Sequence, residues 1–179
     1  MAEQYLFAYN NLIPKLHSNV FIAPGAKVIG DVEIGEYSSI WYNSVVRGDV
    51  HYIKIGEHTN IQDCSMLHVT NGKFSLNIGN RITIAHAVKL HGCTLKDLCL
   101  IGIGATLLDG SVVEENAIVA AGTVILEDFV VPSGKLIAGV PGKIIRDLSA
   151  EEIAEIENSA ERYKEYAKIT MKSLSNLDS

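Results

Sequence analysis

Three histidines, His68, His86 and His91, fall inside the stretch Gln62 to His91, half of the six in the chain. Imidazole is the commonest protein ligand for zinc and also suits iron and cobalt, and a catalytic zinc typically takes three protein ligands and keeps one position for water. Taken singly, each would read as a turn histidine with a satisfied ring. Their shared setting argues otherwise, because other polar groups gather near them: Arg47 with Asp49, and Asn60 with Gln62 and Asp63. Arg47, Asp49 and Asp63 read equally well as corner residues bonding the backbone or as an Arg/Asp pair fixing a subunit contact. Gln62 differs in kind, since an uncharged amide beside a metal can hold a water or substrate oxygen without neutralising it.

The elements that must position these groups follow from a six-residue period. Aliphatic anchors recur at Ile34, Ile40 and Val46, at Ile55, Ile61 and Leu67, and at Ile78, Ile84 and Leu90. They continue through Leu95, Ile101, Leu107, Val113, Val119, Ile125, Val131 and Ile137. A small residue often follows the anchor (Gly35, Gly56, Gly102), and a small or β-branched one often sits four after it (Ser38, Ser44, Thr59, Ser65, Thr123). This is a hexapeptide repeat, in which each unit is one short strand plus a corner and three units make one triangular coil. Stacked coils pair at roughly 4.8 Å, so the spacing predicts a mainly β fold, a solenoid of about seven coils.

The frame slips twice, and both slips lie beside the histidines. Val46 to Ile55 carries three extra residues, placed at His51, Tyr52 and Ile53 as a corner bulge, and Leu67 to Ile78 leaves Thr70-Asn71-Gly72-Lys73 as a turn. Residues 1–19 are expected to be an arm or cap over one open end, 20–142 the solenoid, and 143–148 a connector after the turn at Gly139-Val140-Pro141-Gly142. Ser149 with Glu152 forms a capping box, and Ile153, Ile156, Ala160, Tyr163 and Ala167 keep helical spacing. A single α-helix over 149–172 should therefore lie along the solenoid within one structural domain.

Composition narrows the function classes. A net charge of −6 with no Lys/Arg stripe gives no footprint for nucleic acid or an anionic membrane. Cys64, Cys93 and Cys99 are odd in number and lack CxxC spacing, which points to a reducing, cytoplasmic setting. No targeting or membrane-spanning segment is expected. The anchors place His68 and His86 on one face of consecutive coils and His91 on the next. Ligands spread around a corner point outward, so a threefold homotrimer, with a neighbour's histidine completing the set, is the expected way to close the site.

The ordered set Arg47-Gly48-Asp49, Asn60-Ile61-Gln62-Asp63, His68, His86-x4-His91, within hexapeptide repeats and followed by a long helix, resembles the γ-class carbonic anhydrases over nearly the whole chain. The resemblance implies a left-handed parallel β-helix, a hand that the general crossover rule would not give. It implies that His68, His86 and His91 bind zinc, or iron or cobalt in its place, with His86 from one subunit and His68 and His91 from its neighbour. Gln62 would orient the metal-bound water, Asn60 would support Gln62, and Arg47, Asp49 and Asp63 would form an interfacial ion-pair network. Tyr163 looks like the family's tyrosine near the metal.

The implied reaction is reversible hydration of CO2 to bicarbonate by a metal-bound hydroxide. The sequence departs from the founding pattern where glutamates shuttle protons: Val50 follows the Arg-Gly-Asp, and the short Thr70–Lys73 turn replaces an acidic loop, so weak activity is expected. The alternatives are acyl-CoA thioester hydrolysis or a noncatalytic zinc trimer acting as a scaffold. Hexapeptide acyl transfer is suggested by Ala138-Gly139-Val140-Pro141-Gly142-Lys143, but no loop with a lone catalytic histidine interrupts the later repeats.

Overall fold

In the computed structural model, which describes residues 2–176, most hexads become a strand of two or three residues followed by a corner, Lys27–Ile34 and Val45–Ile55 run on through a corner, and the strands stack in parallel. The first face stacks Val28, Val46, Leu67, Leu90, Leu107 and Ile125. The second stacks Ile34, Ile55, Ile78, Leu95, Val113 and Val131. The third stacks Ile22, Ile40, Ile61, Ile84, Ile101, Val119 and Ile137. Every expected anchor is at most 4% exposed, so the hexad is a core period. The coils number about seven.

The small residues inside the corners do more than save space. Ser38 Oγ donates to the Gly56 carbonyl (2.7 Å) and accepts from the Thr59 N–H (3.0 Å). Ser44 repeats the pattern with the Gln62 carbonyl (2.7 Å) and the Ser65 N–H (3.1 Å). Thr59 does so with Gly79 (2.9 Å) and Ile82 (3.2 Å). Each hydroxyl thus meets corner groups that the strand ladder leaves over, tying one coil to the next.

Four local expectations are revised. The arm is itself the first coil: Leu6–Phe7 pairs in parallel with Val28–Ile29 and Lys15–Leu16 with Glu33–Ile34, while Met1 lies outside the described residues. The bulge excludes Ile53, which is fully buried and pairs with Val32 and Leu76. Pairing runs through Gly30↔Gly48 and resumes at Val32↔Ile53, so Asp49 to Tyr52 stand opposite Asp31. A Cβ on Gly30 would strike the Gly48 carbonyl, and one on Gly48 the Asp31 carbonyl, which is why the segment before Asp49 needs glycine. The third revision is the connector: Lys143–Asp147 is an exposed strand, antiparallel to Lys135–Ala138, that closes the third face. Finally, the helix runs Ala150–Ser175, ending three residues beyond the expected point, with the Ser149/Glu152 capping box present.

The helix lies over the third face near Phe21–Ile22, Ser39–Ile40, Asn60–Ile61 and Thr83–Ile84. It buries Ile156, Ser159, Ala160 and Ala167. His58 Nδ1 to Glu161 (3.0 Å) and Arg81 to Glu157 (3.8 Å) fasten its outer edges. No described helix is long and apolar enough to cross a membrane. Cys93 and Cys99 are buried, and burial pushes both thiols up to about 12, so they are inert core groups.

Among the described residues, Thr123 Oγ1 is the one buried side-chain polar atom without a hydrogen-bond partner. Thr123→Val should therefore raise the unfolding free energy by about 1 kcal/mol, whereas Ser44→Ala, which breaks a satisfied hydroxyl, should lower it by ~1–3 kcal/mol. Denaturant titration of both variants checks the two signs.

Candidate metal centre

The first face carries one half of the site. His68 and His91 are direct strand neighbours, so lateral pairing holds their rings together, with His68 Nδ1 3.1 Å from His91 Nε2. Each ring's other nitrogen is taken by a carboxylate: Asp49 Oδ1 lies 3.0 Å from His68 Nε2, and Asp109 Oδ1 lies 2.7 Å from His91 Nδ1. Arg47 pairs with the other oxygen of Asp49, and the Thr70 hydroxyl donates to Asp109 Oδ2 (2.6 Å). Burial alone would raise the Asp49 carboxyl, but hydrogen bonds from His68 and Arg47, with the Arg47 charge, outweigh it and hold it below the usual carboxylate range. Asp109 is lowered in the same way, with burial opposed by Thr70, His91 and the Lys73 charge.

Two ionised carboxylates fix the tautomers. An ionised carboxylate only accepts, so each ring must turn its N–H toward its aspartate. The nitrogens left, His68 Nδ1 and His91 Nε2, are then two lone pairs facing each other at 3.1 Å. In two neutral rings that contact is repulsive; a proton shared between the nitrogens or a metal ion bound to both relieves it. Two nitrogens at ~2.0–2.1 Å from one tetrahedral ion stand roughly 3.3 Å apart, so the residues present fit a metal.

The other half lies at the corner following the third face. His86 Nδ1 is 2.9 Å from Asp63 Oδ2, leaving Nε2 as its ligand atom. Beside Asp63, a cleft of about 370 Å3 opens among Trp41, Tyr42, Tyr163 and Tyr166. Trp41 and Tyr163 meet edge to face, with centroids 5.5 Å apart. Burial, helped by the Asp63 charge and Tyr166, raises the Tyr163 phenol, which therefore stays a neutral O–H group at neutral pH. Just inside the corner, Gln62 is 4% exposed and its Nε2 donates to Asn60 Oδ1 (3.1 Å).

The expected pairing of His68 with His86 on one face is therefore corrected. Leu67 is followed by Ile78, Ile84 and Leu90, so the residue one full coil after His68 is His91, 23 positions on, and His86 stands at the corner before it. The structure joins Arg47, Asp49, His68 and His91 in one group, and Asn60 with Gln62, and Asp63 with His86, in another, with Tyr163 and Asp63 on the cleft. Within one chain Asp63 pairs with His86, and Arg47 with Asp49. Among the described residues of one chain, no three His, Cys, Asp or Glu side chains converge as a metal site. Asp109 went unread in the sequence and Thr70 was read only as the start of a turn, although Asp109 lies 18 residues after His91, the length of one regular coil.

The bacterial transferase hexapeptide (six repeats) family model matches residues 14–48. A carbonic anhydrase from Geobacillus kaustophilus is 43% identical over 160 residues, covering 89% of this chain and 87% of that protein. Gamma carbonic anhydrase 2, mitochondrial, from Arabidopsis thaliana is 47% identical over 178 residues, 93% of this chain, which spans 64% of the plant protein's length. Among solved structures, a hexapeptide transferase family protein from Anaplasma phagocytophilum superposes with a TM-score of 0.88 at 41% identity, covering 93% of this chain and 98% of that one.

A carboxyl whose pKa is depressed on folding contributes stability that is full above its unfolded value of ~3.9 and is lost as pH falls through the lower folded value. Metal-free Asp109→Asn should thus be less stable than the parent at pH 7, with the gap closing as pH drops below ~4. Denaturant midpoints at the two pH values measure it, and a gap that persists in acid would assign the loss to packing.

Proposed function

Because the chain belongs to the γ-class carbonic anhydrase family of hexapeptide-repeat proteins, we propose that it hydrates CO2 reversibly to bicarbonate, using a metal held between subunits of a homotrimer. The observation that carries this reading is the facing pair of ring nitrogens, His68 Nδ1 and His91 Nε2, whose opposite nitrogens are taken by Asp49 and Asp109. His68 and His91 of one subunit and His86 of the next would hold zinc, or iron or cobalt. When bound, the ion supplies the Lewis acidity that brings the pKa of water toward ~7.

The chain's own residues do the rest. Asn60 Nδ2 donates to the Ile82 carbonyl (3.3 Å), which fixes Asn60 Oδ1 toward Gln62 and makes Gln62 present its N–H. Gln62 Oε1 is then the remaining acceptor, suited to take a hydrogen bond from the attacking water and to aim its lone pair at the carbon of CO2. Asp49 and Asp109 hold the ligand rings in one tautomer, and Asp63 does the same for His86. Arg47, bound to Asp49, stands half-exposed, where it can meet a neighbouring subunit. The net change is CO2 plus water to bicarbonate plus one proton, and that proton must leave.

Val50 and the Thr70–Phe74 turn offer no carboxylate for this. Tyr163, with its raised pKa, is not a base at neutral pH. A cytoplasmic location suits the three unpaired cysteines. A second reading, hydrolysis of an acyl-CoA thioester, draws on the aromatic cleft beside Asp63, which at about 370 Å3 is larger than CO2 requires.

In His86→Ala, stoichiometric metal binding should be lost while the far-UV circular dichroism is unchanged, since the buried anchors hold the coils. Retention of one metal per subunit would overturn the ligand set. In the metallated parent protein, raising imidazole at fixed pH and ionic strength should raise kcat several-fold and leave kcat/KM for CO2 nearly constant. High activity indifferent to buffer would mean that another residue carries the proton. No activity at any buffer concentration would favour thioester hydrolysis.

A further inference from the structure

Behind Gln62 runs a chain of buried polar side chains that crosses from the solenoid into the helix. Gln62 Nε2 donates to Asn60 Oδ1 (3.1 Å), Asn60 Nδ2 donates to Thr83 Oγ1 (3.0 Å), and Thr83 Oγ1 lies 3.0 Å from Ser159 Oγ. All four are buried, at 4%, 1%, 3% and 7% exposure in that order. Ser159 is 76 residues from Thr83 and reaches it only because the helix docks on the third face.

The proton count gives this chain a direction. Thr83 Oγ1 receives an N–H from Asn60, so its own proton points elsewhere; either hydroxyl of the Thr83–Ser159 contact could donate, and donation from Thr83 is the direction that also satisfies that proton. Remove the Ser159 hydroxyl and the Thr83 proton turns back toward Asn60, where only an amide oxygen can take it. Asn60 would then offer its N–H2 to Gln62, and Gln62 would answer with Oε1. The group facing the reaction would change from an acceptor to a donor. The Ile82 carbonyl opposes that flip, but at 3.3 Å it is the longer of the two restraints on Asn60 Nδ2.

We propose that Thr83 and Ser159 are positioning residues that set the amide polarity of Gln62, so that docking of the C-terminal helix determines whether the site presents an acceptor to the attacking water. This rests on the reading of Gln62 as the residue that orients that water. In a buried network each bond is selected by the next, so a hydroxyl two residues removed from Gln62 can decide its orientation.

The test uses the intact metallated protein labelled with side-chain 15N-glutamine. The sequence has two glutamines, Gln4 and Gln62, and Gln4 is exposed, so the amide resonances separate by hydrogen-exchange rate. In the parent protein the Gln62 amide should exchange at least ~10-fold more slowly than that of Gln4. Ser159→Ala and Thr83→Val should shift that amide signal, speed its exchange, and lower kcat/KM for CO2 about tenfold while leaving buffer-limited kcat less affected. Ser159→Thr, which keeps the hydroxyl, should restore both. Arg81→Ala, which removes a half-exposed ion pair to Glu157 on the same helix and leaves the helix docked, should change neither.

If the amide signal and kcat/KM are unmoved in both hydroxyl deletions while the helix remains docked, the proposal is wrong. If Thr83→Val fails to assemble, Ser159→Ala, which removes only one oxygen from the helix, decides the matter by itself. If the parent protein hydrates no CO2 yet the Gln62 amide still responds to Ser159→Ala, the positioning chain stands and the functional reading falls.

Discussion

Lateral pairing in the parallel solenoid is the constraint on which everything else depends. Each strand gives its backbone hydrogen bonds to the coils above and below, so residues one coil apart are locked into columns at the strand spacing. The core follows from this, because Val46, Leu67, Leu90 and Leu107 stack as one wall. The same lock forces His68 over His91, and a slip of either strand by one residue would send its ring into the core. Two imidazoles held at 3.1 Å, each pinned from behind by a carboxylate, are an arrangement that the fold imposes before any metal arrives.

The triangular cross-section then divides the centre. His68 and His91 project from the first face, and His86 from the corner that precedes it, so the three do not converge within one chain. A rotationally repeated contact that sets the corner of one copy against the first face of the next would bring all three together, and it is heterologous, hence able to close into a ring. Each half is preorganised separately: Asp49 and Asp109 serve one, while Asp63 and the Gln62–Asn60 pair serve the other. The aromatic cleft between the corner and the helix belongs to the second half, as does the buried path to Ser159.

Much of this was legible in the sequence, and the reasons differ by element. The anchors were legible because burial repeats with the coil, and the Ser149/Glu152 box because helix capping is local. The partner of His68 was misread. The anchors themselves were miscounted: Leu67 is followed by Ile78 and Ile84, so Ile84 is two units on, and the third anchor, Leu90, sets His91 against His68. Asp109 carried a usable signal in its coil-length spacing from His91. Thr83 and Ser159 carried none, since their contact depends on how a helix lands on a sheet. The Lys143–Asp147 strand was read as a connector because its side chains are all exposed, so no buried period marks it.

Sharing of the metal between copies is the central claim, and mixing two defective chains tests it most directly. His86→Ala keeps the His68/His91 half, and His91→Ala keeps the His86 half. Each alone should bind no stoichiometric metal. Co-refolded in equal amounts and assembled at random, about a quarter of their contacts would join one sound half to the other, so metal content and CO2 hydration should return to roughly a quarter of the parent level. Zero recovery in trimers shown by mass spectrometry to contain both chains would contradict the account, because it would mean that all the ligands come from one subunit.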